Sequence, residues 1–132
     1  MVDKQIIKEW LTEADEDFNF ASVSLKEHDK FYSRICFHFQ QAAEKYLKAF
    51  IIANELGLKK IHNLRILLET CQKKDKEFNK LKESCLFLNA FYIDTRYPAF
   101  WPVGRTRTEA EKAKKAAQKI GNFVKEKLGV KI

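Results

Sequence analysis

Three arginines fall within one short stretch, Arg96, Arg105 and Arg107, interleaved with Tyr97, Phe100 and Trp101 in the run DTRYPAFWPVGRTR from Asp94 to Arg107. A guanidinium offers a planar fork of donors that holds a phosphate bidentately. An aromatic ring beside it gives a base a face to stack on. Lys112, on the Lys-rich helix expected to follow, extends the positive charge. The stretch therefore reads as a contact site for nucleotide or RNA phosphates, with Arg96, Tyr97, Arg105, Arg107 and Lys112 as its residues. A structural alternative stands beside this: the aromatics seal one end of the fold, and Arg96 bridges to Asp94 or to a helix C-terminus.

A second strip consists of Arg34, His38, Gln41, Lys45 and Lys48, spaced by three and four. That spacing puts them on one helical face, able to line a groove toward a nucleotide or a second subunit. The other reading is an exposed face, with Glu44 and Lys48 supporting the helix as an i,i+4 pair. His38 becomes a general base only if the fold or a dimer brings Arg96 to it; His62 reads as a capping or hydrogen-bonding group. Hydrolase triads, phosphate-binding Gly loops and metal-ligand clusters are absent from the sequence, and the four Gly are scattered. No metal and no cofactor are expected.

These side chains need a scaffold, and Phe31 to Leu56 is its centre. On a helical wheel Ile35, Cys36, Phe39, Ala42, Ala43, Tyr46, Leu47, Ala49, Phe50 and Ala53 occupy one side. The sector spans roughly 160°, wider than the ~100° stripe of an ordinary surface helix, so neighbours are expected on more than one flank. A preceding helix is expected from Asp3 to Lys26, with Ile7, Trp10, Leu11, Ala14, Phe18, Ala21 and Leu25 inward and Glu9, Glu13, Glu16 and Asp17 outward. Asp29 is the expected N-cap of the central helix, and Gly57 its left-handed C-terminal stop.

A third helix of about three turns carries Leu64, Leu67, Leu68 and Cys71. A fourth is expected from Glu77 to Ile93, with Phe78, Leu81, Cys85, Leu88 and Tyr92 on one stripe and Phe87 and Phe91 on a second, facing a further partner such as another subunit. Pro98, Pro102 and Gly104 then break the pattern. Thr108 and Glu111 have capping-box spacing for the last helix. Gly121 inside that helix has no evident reason in the sequence. The fold class is all-α, an antiparallel up-and-down bundle of about five helices, and residues 1–132 make one domain.

Composition narrows the classes. At 45% hydrophobic and 33% charged the chain is not disordered. The longest apolar run, Ala49 to Ala53, is far below the ~20 residues of a membrane span, and the first residues carry no signal-peptide pattern. The protein is expected to be cytoplasmic, without a membrane partner. Three Cys outside any CxxC pair read as reduced core thiols. Residues 1–66 carry ten Lys/Arg and ten Asp/Glu, whereas residues 67–132 carry fifteen against eight and hold the whole net charge of +7. A basic half beside a neutral one points to a polyanion or an acidic protein surface.

FHFQQAAEKYLKAFI in the central helix, then IHNLRILLE, then LNAFYIDTRYP, in that order and at these distances, resemble the HEPN (higher eukaryotes and prokaryotes nucleotide-binding) domain. The likeness spans nearly the whole chain, and QQAAEK to LKA, Gln40 to Ala49, is its most specific part. The resemblance implies an up-and-down bundle that dimerises. It also implies pairing with a small separate nucleotidyltransferase, in the manner of toxin–antitoxin pairs. Many such domains are metal-independent ribonucleases with an Arg and a His separated by four to six residues near the fourth helix. Arg96 matches the Arg, but the matching positions hold Trp101, Pro102 and Val103, and Ala99 follows RYP where Asp is frequent. The leading expectation is therefore a non-catalytic, homodimeric module that binds nucleotide or RNA. The alternative is a ribonuclease using Arg96 with a non-standard proton carrier such as His38 or Tyr97.

Overall fold

The computed structural model describes residues 2–57, 60–92 and 105–130. They form α1 (Lys4–Glu27), α2 (Tyr32–Ala53), α3 (Leu64–Lys74), a 3-10 helix (Lys76–Leu81), α4 (Lys82–Asn89) and α5 (Arg107–Lys127). No strand occurs among the described residues, and the all-α bundle is as expected. No described helix is long and apolar enough to cross a membrane.

The central helix is central because its side chains leave no alternative. Thirteen of the 22 residues of α2 are buried, and α2 packs against α1, α3, α4 and α5. Small residues do the close work: Ala42, Ala43 and Ala49 are fully buried. The core is one continuous cluster in which Phe39, Leu47, Phe78, Leu81 and Ile120 are inaccessible. Phe50, Phe78 and Phe123 pack in series, the first pair tilted and the second edge to face, with centroids 4.4 and 4.9 Å apart. Cys36, Cys71 and Cys85 are buried and unpaired. Burial pushes the Cys36 thiol up to about 11 and the Cys85 thiol up to about 12, so neither forms thiolate near neutral pH.

Gly121 has its reason across the helix interface. A Cβ there would stand 2.7 Å from Cε2 of Tyr46, and that ring cannot yield, because it is buried and its hydroxyl donates to Asp15.

Several ends differ from expectation. Asp29 does not cap α2; the N-cap is Phe31, in left-handed conformation (φ 67°) and without a side-chain cap bond. At the other end Glu55 (φ 53°) takes the position just past the helix end, and Gly57, expected there, has the expected left-handed conformation (φ 81°) two residues later. Glu55 N–H donates to Ile52 O and Leu56 N–H to Ile51 O, a Schellman closure. The segment expected as one helix from Glu77 to Ile93 begins as a 3-10 helix from Lys76 to Leu81, with Asp75 as its N-cap accepting from Glu77 N–H. The described helix ends at Asn89. Tyr92, placed on the inward stripe by spacing, is exposed.

The α5 cap lies two residues earlier than its motif suggested. The segment RTRTEAE contains two overlapping T-x-x-E patterns, and Thr106 with Glu109 forms the reciprocal capping box. Thr106→Ala is expected to lower stability by about 1 kcal/mol, and Thr108→Ala to stay within about 0.5 kcal/mol. Denaturant unfolding of the two variants distinguishes the caps.

Candidate functional site

The basic residues of the Asp94–Arg107 stretch are partly placed. Arg96, Tyr97, Phe100 and Trp101 lie outside the described residues. Arg105 lies just before the N-cap of α5 and Lys112 in its second turn, and α5 packs on α4. The Arg105 guanidinium sits 4.9 Å over the ring of Phe91, and the Lys112 ammonium 4.5 Å over the ring of Phe87. The two rings meet edge to face, 5.2 Å apart. The result is a continuous ridge of cation, ring, ring and cation. The stripe of Phe87 and Phe91 thus meets two cations of the same chain, Lys112 and Arg105.

The aromatic faces hold the cations by quadrupole attraction. Arg105 is further held by Glu109 at 3.4 Å, and its backbone N–H donates to Ser33 Oγ at 3.4 Å. Lys112 remains exposed and has no acidic partner within 4 Å among the described residues. Arg107 is used differently. Its Nη1 donates to Leu25 O at 3.3 Å and its Nη2 to His28 O at 2.9 Å, satisfying carbonyls at the end of α1. It also lies 5.5 Å over the Tyr32 ring.

The second strip divides in two along α2. Arg34 is exposed, and His38 and Lys45 are half-buried against α1. Asp17, expected on the outer face of α1, turns inward between them. His38 Nδ1 is 3.4 Å from Asp17 Oδ1, and Lys45 Nζ is 2.7 Å from Asp17 Oδ2. Burial pushes the Asp17 carboxyl up, but the hydrogen bonds from His38 and Lys45 outweigh it and leave it below the usual carboxylate value. A depressed folded pKa stabilises the fold above the unfolded value, and the contribution fades as pH falls through the folded one. Asp17→Asn is therefore expected to destabilise the protein at neutral pH, and to destabilise it less at an acid pH below the unfolded carboxylate value. Unfolding curves at the two pH values check this.

Lys48 does not belong to an exposed face. Gln40, Glu44 and Lys48 are buried, at 0, 4 and 6% exposure. Glu44 Oε2 lies 2.9 Å from Lys48 Nζ and 2.9 Å from His62 Nδ1. Gln40 Nε2 donates to His62 O at 3.3 Å, and Gln41 Nε2 to Gln40 Oε1 at 2.7 Å. His62 stacks on Tyr92, 5.2 Å away and 12° from parallel. Next to it Asn63 caps α3. Asn89 accepts from Leu64 N–H at 2.8 Å and donates to Asn63 Oδ1 at 3.2 Å. One polar network thus ties α2, the start of α3 and the end of α4. Its anchoring residues come from QQAAEK and IHNL, so the most specific motif in the sequence is a buried clamp. Spacing assigned Glu44 and Lys48 to solvent, because His62, which meets the same Glu44 oxygen, is distant in sequence.

The HEPN domain model matches residues 7–127. No curated protein matches the chain in sequence. Among solved structures, the crystal structure of ST0689, an archaeal HEPN homologue, superposes with a TM-score of 0.71 at 23% identity, over 92% of this chain and 96% of that one. The bundle is the same and the identity is low, so that likeness concerns the fold. With the family model covering all but the chain ends, this protein belongs to the HEPN family and, at the level of the family, is a nucleotide-interacting module.

Proposed function

We propose that the protein is a non-catalytic, homodimeric RNA- or nucleotide-phosphate-binding module that partners a small nucleotidyltransferase in a toxin–antitoxin-like pair. The observation that carries the binding role is the ridge of Arg105 and Lys112 over Phe91 and Phe87. It presents two cations, and Arg96 and Tyr97, outside the described residues, are the further cation and ring that the sequence offers. Phosphates take the cations, and the positive half of the chain supplies long-range attraction. Arg107 anchors the start of α5 to α1 and fixes Arg105 beside it.

The absence of a His after Arg96 supports a non-catalytic reading. Single-stranded RNA incubated with the protein in chelator is expected to be retarded on a gel and recovered intact. Metal-independent cleavage abolished by Arg96→Ala would overturn this.

A dimer is supported by the exposed apolar face of the α1–α2 hairpin. Phe20 and Val23 are 58 and 52% exposed, and Phe20 and Phe37 flank His38 at 4.8 and 5.7 Å. Sedimentation at tens of micromolar (about the range an obligate contact needs) is expected to show a dimer, and a monomer alone would refute it.

The ribonuclease alternative has one observation in its favour. Asp17 contacts His38 Nδ1, which orients the imidazole with Nε2 free to carry a proton. That reading predicts growth arrest when the chain is expressed alone, abolished by Arg96→Ala or His38→Ala. Toxicity surviving both substitutions excludes it.

A further inference from the structure

A cleft of about 570 Å³ lies between the first turns of α1 and the end of α5. That volume falls within the ~300–1,000 Å³ of small-molecule sites. Its floor is apolar, formed by Ile7 and Leu11 of α1 and by Leu128 and Val130. Val130 reaches it through a Schellman turn: Gly129 has φ +71°, Gly129 N–H donates to Glu126 O, and Val130 N–H donates to Lys125 O at 2.8 Å.

The charges around this floor are of two kinds. Lys125 is neutralised by Asp15 at 2.8 Å. Lys4 and Lys8 are exposed, lie one turn apart, and have no carboxylate within 4 Å among the described residues. They stand at the positive end of the α1 dipole. From Lys8 to Asp15 the helix advances ~10 Å, close to the length of an alkyl chain of about ten carbons. A cationic head would meet two uncompensated ammonium groups, and a wholly polar ligand would leave the floor unmatched.

We infer that this cleft binds a medium-chain alkyl carboxylate, with its tail across Ile7, Leu11, Leu128 and Val130 and its head at Lys4 and Lys8. The site is separate from the basic ridge. Arg105 and the cleft lie at opposite ends of α5, ~30 Å apart along the helix.

Sodium decanoate below its micellar concentration is the probe, read by amide chemical shifts and calorimetry on the full chain. Expected are shifts confined to the cleft, with Thr12 and Val130 among them. The Lys4→Glu/Lys8→Glu double variant is expected to bind at least about tenfold more weakly with an unchanged circular dichroism spectrum. Val130→Asp, at an exposed position, is expected to weaken binding likewise, and decyltrimethylammonium is expected not to compete. The inference is overturned if decanoate gives no shift at about 1 mM. It is also overturned if the double variant binds equally well, or if an acidic amphipathic peptide binds the cleft while decanoate does not.

Discussion

Glu44→Ala is expected to cost about 3–5 kcal/mol of folding free energy. The Lys48 ammonium is almost wholly enclosed, and Glu44 is the carboxylate that neutralises it, at 2.9 Å. Truncation leaves a buried cation without a counter-charge and removes the acceptor of His62. The desolvation penalty of Lys48 then stands uncompensated. Because the penalty belongs to the orphaned charge, removing both charges is a different experiment. Glu44→Leu with Lys48→Met fills similar volume with apolar atoms and is expected to recover most of the loss. Denaturant unfolding of both variants measures the difference. A Glu44→Ala loss below about 1 kcal/mol would mean that Lys48 reaches water along its flexible stem.

The second large effect concerns binding. Arg105→Glu with Lys112→Glu is expected to weaken affinity for single-stranded RNA at least about a hundredfold at low salt, from two lost phosphate contacts and two added repulsions. Neither substitution opens the core, since Lys112 is exposed and Arg105 lies over the outer face of Phe91. Phe87→Leu is expected to give a smaller loss, by removing the seat of Lys112 while keeping its charge. Lys73→Glu, at an exposed site on α3, serves as a control and is expected to change affinity only slightly. Fluorescence anisotropy of a labelled RNA gives all of these values. An unchanged affinity for the double variant would remove the ridge from the interface.

Much of the scaffold is written in periodicity. The width of the apolar sector on α2 foretold that several helices would pack on it, because a helix can bury that much surface only against several neighbours. The buried thiols and the inward stripes of α1 and α3 follow from the same spacing. What periodicity does not carry is the contact between distant segments. Glu44 and Lys48 read as a solvated i,i+4 pair because nothing local marks the distant segments that bury them or the His62 contact to Glu44. Gly121 reads as a blemish until Tyr46 is seen against it. The α5 cap shifted because two threonines offer the same local chemistry, and Thr106 sits where α5 begins. Phe31 and Glu55 adopt left-handed turns that their types do not announce.

The candidate site was legible to a similar depth. Arg105 and Lys112 stand out by charge, and Phe87 and Phe91 by spacing, but their pairing across α4 and α5 is a tertiary fact. Arg107 resembles its neighbours in sequence, yet its donors close the end of α1. Asp17 counts as one more outer acid until His38 and Lys45 converge on it.

The central claim is that this HEPN chain holds RNA phosphates without cutting them. Its most direct test is the affinity of the wild-type protein for a single-stranded RNA across a salt series in chelator. Each phosphate neutralised contributes a slope of about −0.7 in the log–log plot. Contacts from Arg96, Arg105 and Lys112 together predict a slope of about −2, with the RNA intact at every point. Absence of binding at low salt, or a salt-independent affinity, would contradict the claim.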